Sequence, residues 1–190
     1  MKTVAQVLVL WLASIACGAA WGQPEDDGEF LVRTASHELE DGVYYVDSLI
    51  YLRLPTDARD ALNSGLGLSI SIQVELLNRL RLWWDAVEHD ITIKFQLTYS
   101  RLTNRYLVHN IRTDDSRVFE TLPAALEYLG RVDHLPLIDE SVLDEDRRYD
   151  IRVRAVLDKD ALPGALRLLA FWRRDWSIAS DWLTWRLDDE

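Results

Sequence analysis

Leu66-Gly67-Leu68-Ser69-Ile70-Ser71-Ile72-Gln73-Val74-Glu75-Leu76 decides the fold class. Every even-numbered residue from 66 to 76 is apolar, and Ser69, Ser71, Gln73 and Glu75 between them are polar. A two-residue period sends successive side chains to opposite faces of a sheet, so the stretch reads as a strand with one face in a core and one in water. Wetting on one side is the habit of antiparallel sheets. On this reading Ser69 and Ser71 point outward.

The same alternation recurs along the chain. Ile91, Ile93, Phe95, Leu97 and Tyr99 alternate with Thr92, Lys94, Gln96 and Thr98; Tyr149, Ile151, Val153, Ala155 and Leu157 alternate with Asp150, Arg152 and Arg154. Phe30–Leu39 and Val43–Leu54 flank Glu40-Asp41-Gly42, a hairpin signal, and Arg105–Arg112 follows Ser100–Asn104 in the same manner. Trp176–Leu187 closes the chain with an apolar phase that flips near Trp182, which a bulge or a change of sheet would explain. Short helices are expected at Thr56–Ser64, capped by Thr56, at Thr121–Leu129, capped by Thr121 and stopped by Gly130, and at Leu162–Trp172 after Pro163. The expected architecture is mainly β: an antiparallel β-sandwich with two or three short helices in its connections.

The N-terminus sets the compartment. Lys2 precedes the apolar run Val4–Ile15, and Ala16-Cys17-Gly18-Ala19-Ala20-Trp21-Gly22 supplies small residues, the three-part pattern of a cleavable secretory signal. Cleavage is expected before Gln23, with the position after Ala20 as the alternative. Lipidation at Cys17 is disfavoured because Ser14-Ile15-Ala16 lacks the leucine such sites favour. The expected organisation is a signal peptide at 1–22, an acidic linker at 23–28 and one sandwich-like domain at 29–190, working in the periplasm. Cys17 is the single cysteine, so the exported chain would have neither a disulfide nor a thiolate metal ligand. A formal charge of −11 repels nucleic acid and anionic lipid, and no later apolar run has the length of a membrane span.

No catalytic or cofactor motif is present, and no cofactor is expected. Gly65-Leu66-Gly67 lacks the third glycine of a phosphate loop, and Gly67-Leu68-Ser69-Ile70-Ser71 lacks the closing glycine of a nucleophile elbow. His37, His89, His109 and His134 stand at no zinc spacing and read as surface residues near strand ends. Carboxylates gather at Asp114-Asp115, Asp139-Glu140, Asp144-Glu145-Asp146 and Asp158-Lys159-Asp160, but Arg147, Arg148 and Lys159 compete with calcium for them.

The candidate binding residues are Arg79, Arg81, Trp83, Trp182 and Trp185. Arg79, Arg81 and Trp83 share one face of their segment, and a neighbouring Lys94 or Arg152 and Arg154 would extend it into a basic stripe. Cross-strand pairing with Glu75 and Asp150 is the competing reading. Trp182 and Trp185 have opposite parity, so a regular strand would send one ring outward as a stacking platform, whereas a bulge would return both to the core.

The segment Leu52–Leu68, Arg79–Trp84 with Asp85, Leu97-Thr98-Tyr99, Leu157-Asp158 with Leu162-Pro163, Trp176-Ser177-Ile178 and Trp182-Leu183-Thr184-Trp185 together resemble the exported family called domain of unknown function 4390. The likeness runs from Phe30 to Leu187; Gly164 departs from it where a second proline is expected. The resemblance implies a Gram-negative envelope protein with no catalytic residues to carry over, and genes often beside a membrane sensor kinase. The leading expectation is a non-catalytic periplasmic binding or interaction module with an envelope protein or glycan as partner. The alternatives are an accessory of a sensor kinase, or an envelope hydrolase using two loop carboxylates about 5–10 Å apart.

Overall fold

The computed structural model describes residues 28–79, 86–144, 146–158 and 178–187. The expected signal peptide, linker residues 23–27 and the third helix at 162–172 lie outside them. The order of elements is β1 (Glu29–Glu40), β2 (Val43–Arg53), α1 (Thr56–Asn63), β3 (Leu68–Asn78), β4 (Ala86–Ser100), β5 (Arg105–Asn110), β6 (Asp115–Phe119), α2 (Leu122–Leu129), β7 (Arg131–Asp139), a 3-10 turn (Glu140–Val142), β8 (Tyr149–Asp158) and β9 (Leu183–Arg186). They form two antiparallel sheets, one of three strands ordered β1-β2-β7 and one of six ordered β6-β5-β4-β3-β8-β9.

The alternating strands build the core. Ile70, Ile72 and Val74 of β3, Ile91, Ile93 and Phe95 of β4, and Ile151, Val153 and Ala155 of β8 face Phe30, Val46, Ile50, Leu52 and Val132 of the smaller sheet within one buried cluster. Each such side chain removed from water contributes about 1.5–3 kcal/mol for a Val, Leu, Ile or Phe. The outer face of β3 departs from expectation. Ser69 and Ser71 are only 6% and 4% exposed. Their strand is central, and the larger register partners Gln96 and Asp158, Lys94 and Val156 overshadow the short hydroxymethyl groups.

The β1–β2 hairpin turns on Asp41 and Gly42, both at positive φ (50° and 80°), the conformation a two-residue turn between twisted strands requires. Helix α1 starts one residue earlier in its capping than expected: Pro55 is the N-cap without a side-chain bond, and Thr56 is the first helical residue. Thr121 does cap α2, accepting from the Ala124 N–H. Gly130 ends α2 at φ −79°, so its lack of a side chain serves a close approach, not a left-handed turn. A Cβ there would collide with the carbonyl oxygen of Ile50, and the Gly130 carbonyl accepts from the Ile50 N–H at 2.7 Å.

Strands β6 and β7 were not legible as alternation. Two steps along β2, from Val46 to Ser48, meet three along β7, from Leu135 to Val132. The extra residue places His134 at φ 49° and breaks the two-residue period. Pro136 sits on the same strand, at the edge of its sheet, where a missing N–H costs no ladder bond. Among the described residues no helix is long and apolar enough to cross a membrane.

Candidate binding site

The C-terminal segment rejoins β8 through a bulge. Val156 bridges Ala179, and Val153 pairs with Leu183, so three steps on β8 meet four on the returning chain. Ser180 fills the irregularity: its Oγ accepts from the Ala155 N–H at 3.1 Å and its own N–H donates to the Ala155 carbonyl at 2.9 Å. Beyond the bulge the pairing of Leu183–Arg186 with β8 is regular, so Trp182 and Trp185, of opposite parity, lie on opposite faces. Trp185 turns toward the core and donates its indole N–H to His37, whereas Trp182 lies over the outer face of β8.

There the Trp182 ring is flanked by two guanidiniums, those of Arg152 and Arg154, each 4.2 Å from its centroid. Both arginines are also held from the side. Arg152 Nε donates to Glu75 at 2.8 Å, and Arg154 Nε donates to Gln73 at 2.7 Å. Arg79 pairs with Asp150 at 3.2 Å. Arg152 and Arg154 thus do form a charged pair beside an aromatic ring, and the cross-strand pairing with Glu75 and Asp150 also forms. Arg81 and Trp83 lie outside the described residues.

A second feature was not foreseen from the sequence. A cleft of about 470 Å³ opens between the end of β2 and helix α2. Leu49, Tyr51, Leu52 and Leu54 line one side and Leu122, Pro123 and Leu126 the other. Among the described residues, Arg33, Arg53 and Arg59 also line it, with one carboxylate, Glu127. Arg33 stacks over Tyr51 at 4.8 Å, Arg53 pairs with Glu29 at 3.5 Å and Arg59 donates to the Thr56 hydroxyl at 3.1 Å, so all three cations are positioned by neighbours. The cleft exists because α2 follows a strand on the opposite sheet and packs on β2, β5 and β6, stopping β7 at Gly130. Its volume falls in the range of small-ligand sites, and apolar walls with few charged groups are the usual make-up of such sites.

The polar clusters around His134 and Asp144 have local explanations. His134 is stacked on Tyr45 with centroids 3.8 Å apart and planes 7° from parallel, and its N–H donates to Asp47 at 2.9 Å. Its Nδ1 faces Glu38 at 3.1 Å and its Nε2 faces Glu40 at 3.8 Å. The three side chains stand close enough to share an ion, but each ring nitrogen has its own carboxylate, the layout of an exposed ion pair. Asp144 takes the Asp146 N–H and pairs with Arg147 at 3.1 Å, as competing counter-ions would require. Asp150 is the one carboxylate buried among the described residues, at 8% exposure, and faces Arg79.

The model of one family, described as a domain of unknown function (DUF4390), matches residues 27–186. The chain belongs to the DUF4390 family. No curated protein and no solved structure matches it. The stretch that matches the DUF4390 model contains both the Trp182 surface and the β2–α2 cleft. One serine, histidine and aspartate do stand in a row on the β5–β6 hairpin, with the Ser116 hydroxyl 3.0 Å from His109 Nδ1 and Asp114 3.5 Å from Nε2, but Ser116 and Asp114 are exposed and none of the three lines the β2–α2 cleft. The cleft escaped sequence reasoning because its walls come from residues 70 positions apart, as between Leu52 and Leu122. The one local signal is Leu49 and Tyr51, apolar residues on the outward phase of β2.

Proposed function

We propose that this DUF4390 chain is a non-catalytic binding module of the bacterial envelope, and that the β2–α2 cleft is its ligand site. The cleft carries the reading: an apolar trough of about 470 Å³ lined, among the described residues, by three arginines and one glutamate, in a chain of formal charge −11. A cationic lining on an acidic protein selects a ligand with apolar bulk and negative charge. Export rests on residues 1–22, whose basic, apolar and small-residue regions fit a signal peptide. Intact-mass analysis of periplasmic material is expected to give a chain starting at Gln23 or Trp21; a full-length cytoplasmic chain would contradict export.

Titration with 8-anilinonaphthalene-1-sulfonate, an apolar anion, tests the cleft in the folded protein. Saturable one-to-one binding, weakened at least fivefold by Arg33→Glu, is expected. Absence of saturable binding, or binding indifferent to that substitution, would overturn the assignment.

A second reading is favoured by Trp182. Its ring with Arg152 and Arg154 makes a cationic aromatic plate on the outer face of the larger sheet. Such a plate suits an acidic glycan or an acidic partner surface. Binding of an anionic glycan that survives Arg33→Glu and is lost in Trp182→Ala would move the site there.

A further inference from the structure

We infer that the cleft takes its ligand by strand addition: an extended peptide segment with acidic side chains pairs with the open edge of β2 at Leu52. This rests on the cleft being the ligand site and names what that site takes.

The edge is open for a definite reason. β2 pairs with β1 along its whole length, but with β7 only as far as Leu49 opposite Arg131, followed by the bond from Ile50 N–H to Gly130. In an antiparallel ladder the residues that bond to a given neighbour alternate. Ile50 bonds toward β7, so Leu52 presents its N–H and C=O on the same side, away from β1. The residue that would continue β7 opposite Leu52 is Tyr128, which lies in α2. No described strand occupies that position.

The surroundings suit an added strand better than a lipid-like anion. An acyl chain would use the apolar walls and arginines but leave the Leu52 amide and carbonyl unmatched; a peptide backbone matches both. Alternate side chains of an added strand would meet Leu122, Pro123 and Leu126 or turn out toward Arg33. The Arg33 guanidinium, stacked on Tyr51 beside the cleft, favours aspartate or glutamate at an outward position. The open step is also short, closed off by Gly130 and α2. A short edge resists indiscriminate sheet-to-sheet association while still admitting one segment.

The test uses three dye-labelled hexapeptide pools read by fluorescence anisotropy. The first alternates Val, Leu or Phe with Asp or Glu; the second replaces the acids with Lys or Arg; the third is the acidic pool with every backbone nitrogen methylated. The acidic pool is expected to bind saturably, with the basic and methylated pools each at least tenfold weaker. Arg33→Glu should weaken the acidic pool at least fivefold in a protein that still melts in one cooperative transition. Equal binding of the methylated pool would overturn strand addition. If no pool binds while the sulfonate dye still does, strand addition fails and the cleft assignment stands; if neither binds, both fail. A self-associating protein in sedimentation, with no peptide binding, would make a second copy of the chain the occupant and overturn the proposal.

Discussion

The indole N–H of Trp185 donates to Nδ1 of His37 at 3.0 Å, across the two sheets of the sandwich. Nδ1 is therefore the acceptor and Nε2 carries the hydrogen, which it donates to the Leu187 carbonyl at 2.9 Å. One imidazole from β1 thereby fastens the last strand of the chain, and His37 is a half-buried tie, not the surface residue its neighbour Glu38 suggested.

His37→Ala leaves a partly buried indole N–H and a carbonyl without their partner. The expected loss is about 1–3 kcal/mol, the cost of unsatisfied buried polar groups. Denaturant unfolding measures it; a loss indistinguishable from zero would mean the tie contributes nothing in solution.

Ile72→Asp and Phe95→Asp place a charge in the apolar layer between the sheets and should prevent stable folding. Ser71→Asp should also be costly, because Ser71 is buried, whereas exposed Gln96→Asp should change stability by about 0.5 kcal/mol or less. Thermal melts of the four variants decide. A Ser71→Asp protein as stable as Gln96→Asp would show that the outer face of β3 is wet.

Trp182→Ala removes the ring shared by Arg152 and Arg154. Two partly exposed cation–π contacts are each worth about 0.5–1 kcal/mol, so a loss of about 1–2 kcal/mol is expected, with Trp182→Phe retaining part of it. Equilibrium unfolding of both variants separates ring stacking from bulk; equal losses would deny the stacking term.

The Asp139 carboxyl is held below its ordinary value of 3.8 by the Ser141 hydroxyl, donating at 2.6 Å, and then by the Ser141 N–H at 2.9 Å. A value depressed in the folded state means a stability contribution that is complete above the ordinary carboxylate range. It is lost as pH falls through that range toward the folded value. In an NMR titration of side-chain carboxyls, Ser141→Ala should move Asp139 upward. An unmoved midpoint would assign the depression to something other than the hydroxyl.

The larger sheet was legible because β3 and β8 keep one residue phase throughout and β4 keeps it from His89 onward, past a bulge at Glu88, so a two-residue period survives in the sequence. The C-terminal flip at Trp182 was legible as a bulge for the same reason, since a single inserted residue inverts phase on one side only. β7 was hidden by its bulge at His134 and by Pro136, which together erase the period although Val132, Leu135 and Leu137 still point inward. β6 was hidden differently: as an edge strand its residues Asp115–Val118 are all exposed, so burial imposes no pattern on them. The cleft belongs to neither class of signal. It is made by the way α2 interrupts β7, a long-range arrangement with no local pattern beyond the unexpected apolar residues Leu49 and Tyr51 on an outward face.

Native-state amide hydrogen exchange at Ile50 and Leu52 tests the open edge of β2 most directly. Both lie on one strand, point to one side and are flanked by the same core, but Ile50 is bonded to Gly130 and Leu52 faces the cleft. The account predicts strong protection at Ile50 and exchange at Leu52 at least a hundredfold faster, with Leu52 becoming protected when the acidic peptide pool is added. Equal protection of the two amides in the unliganded protein would mean that the edge is already satisfied, and would contradict the account.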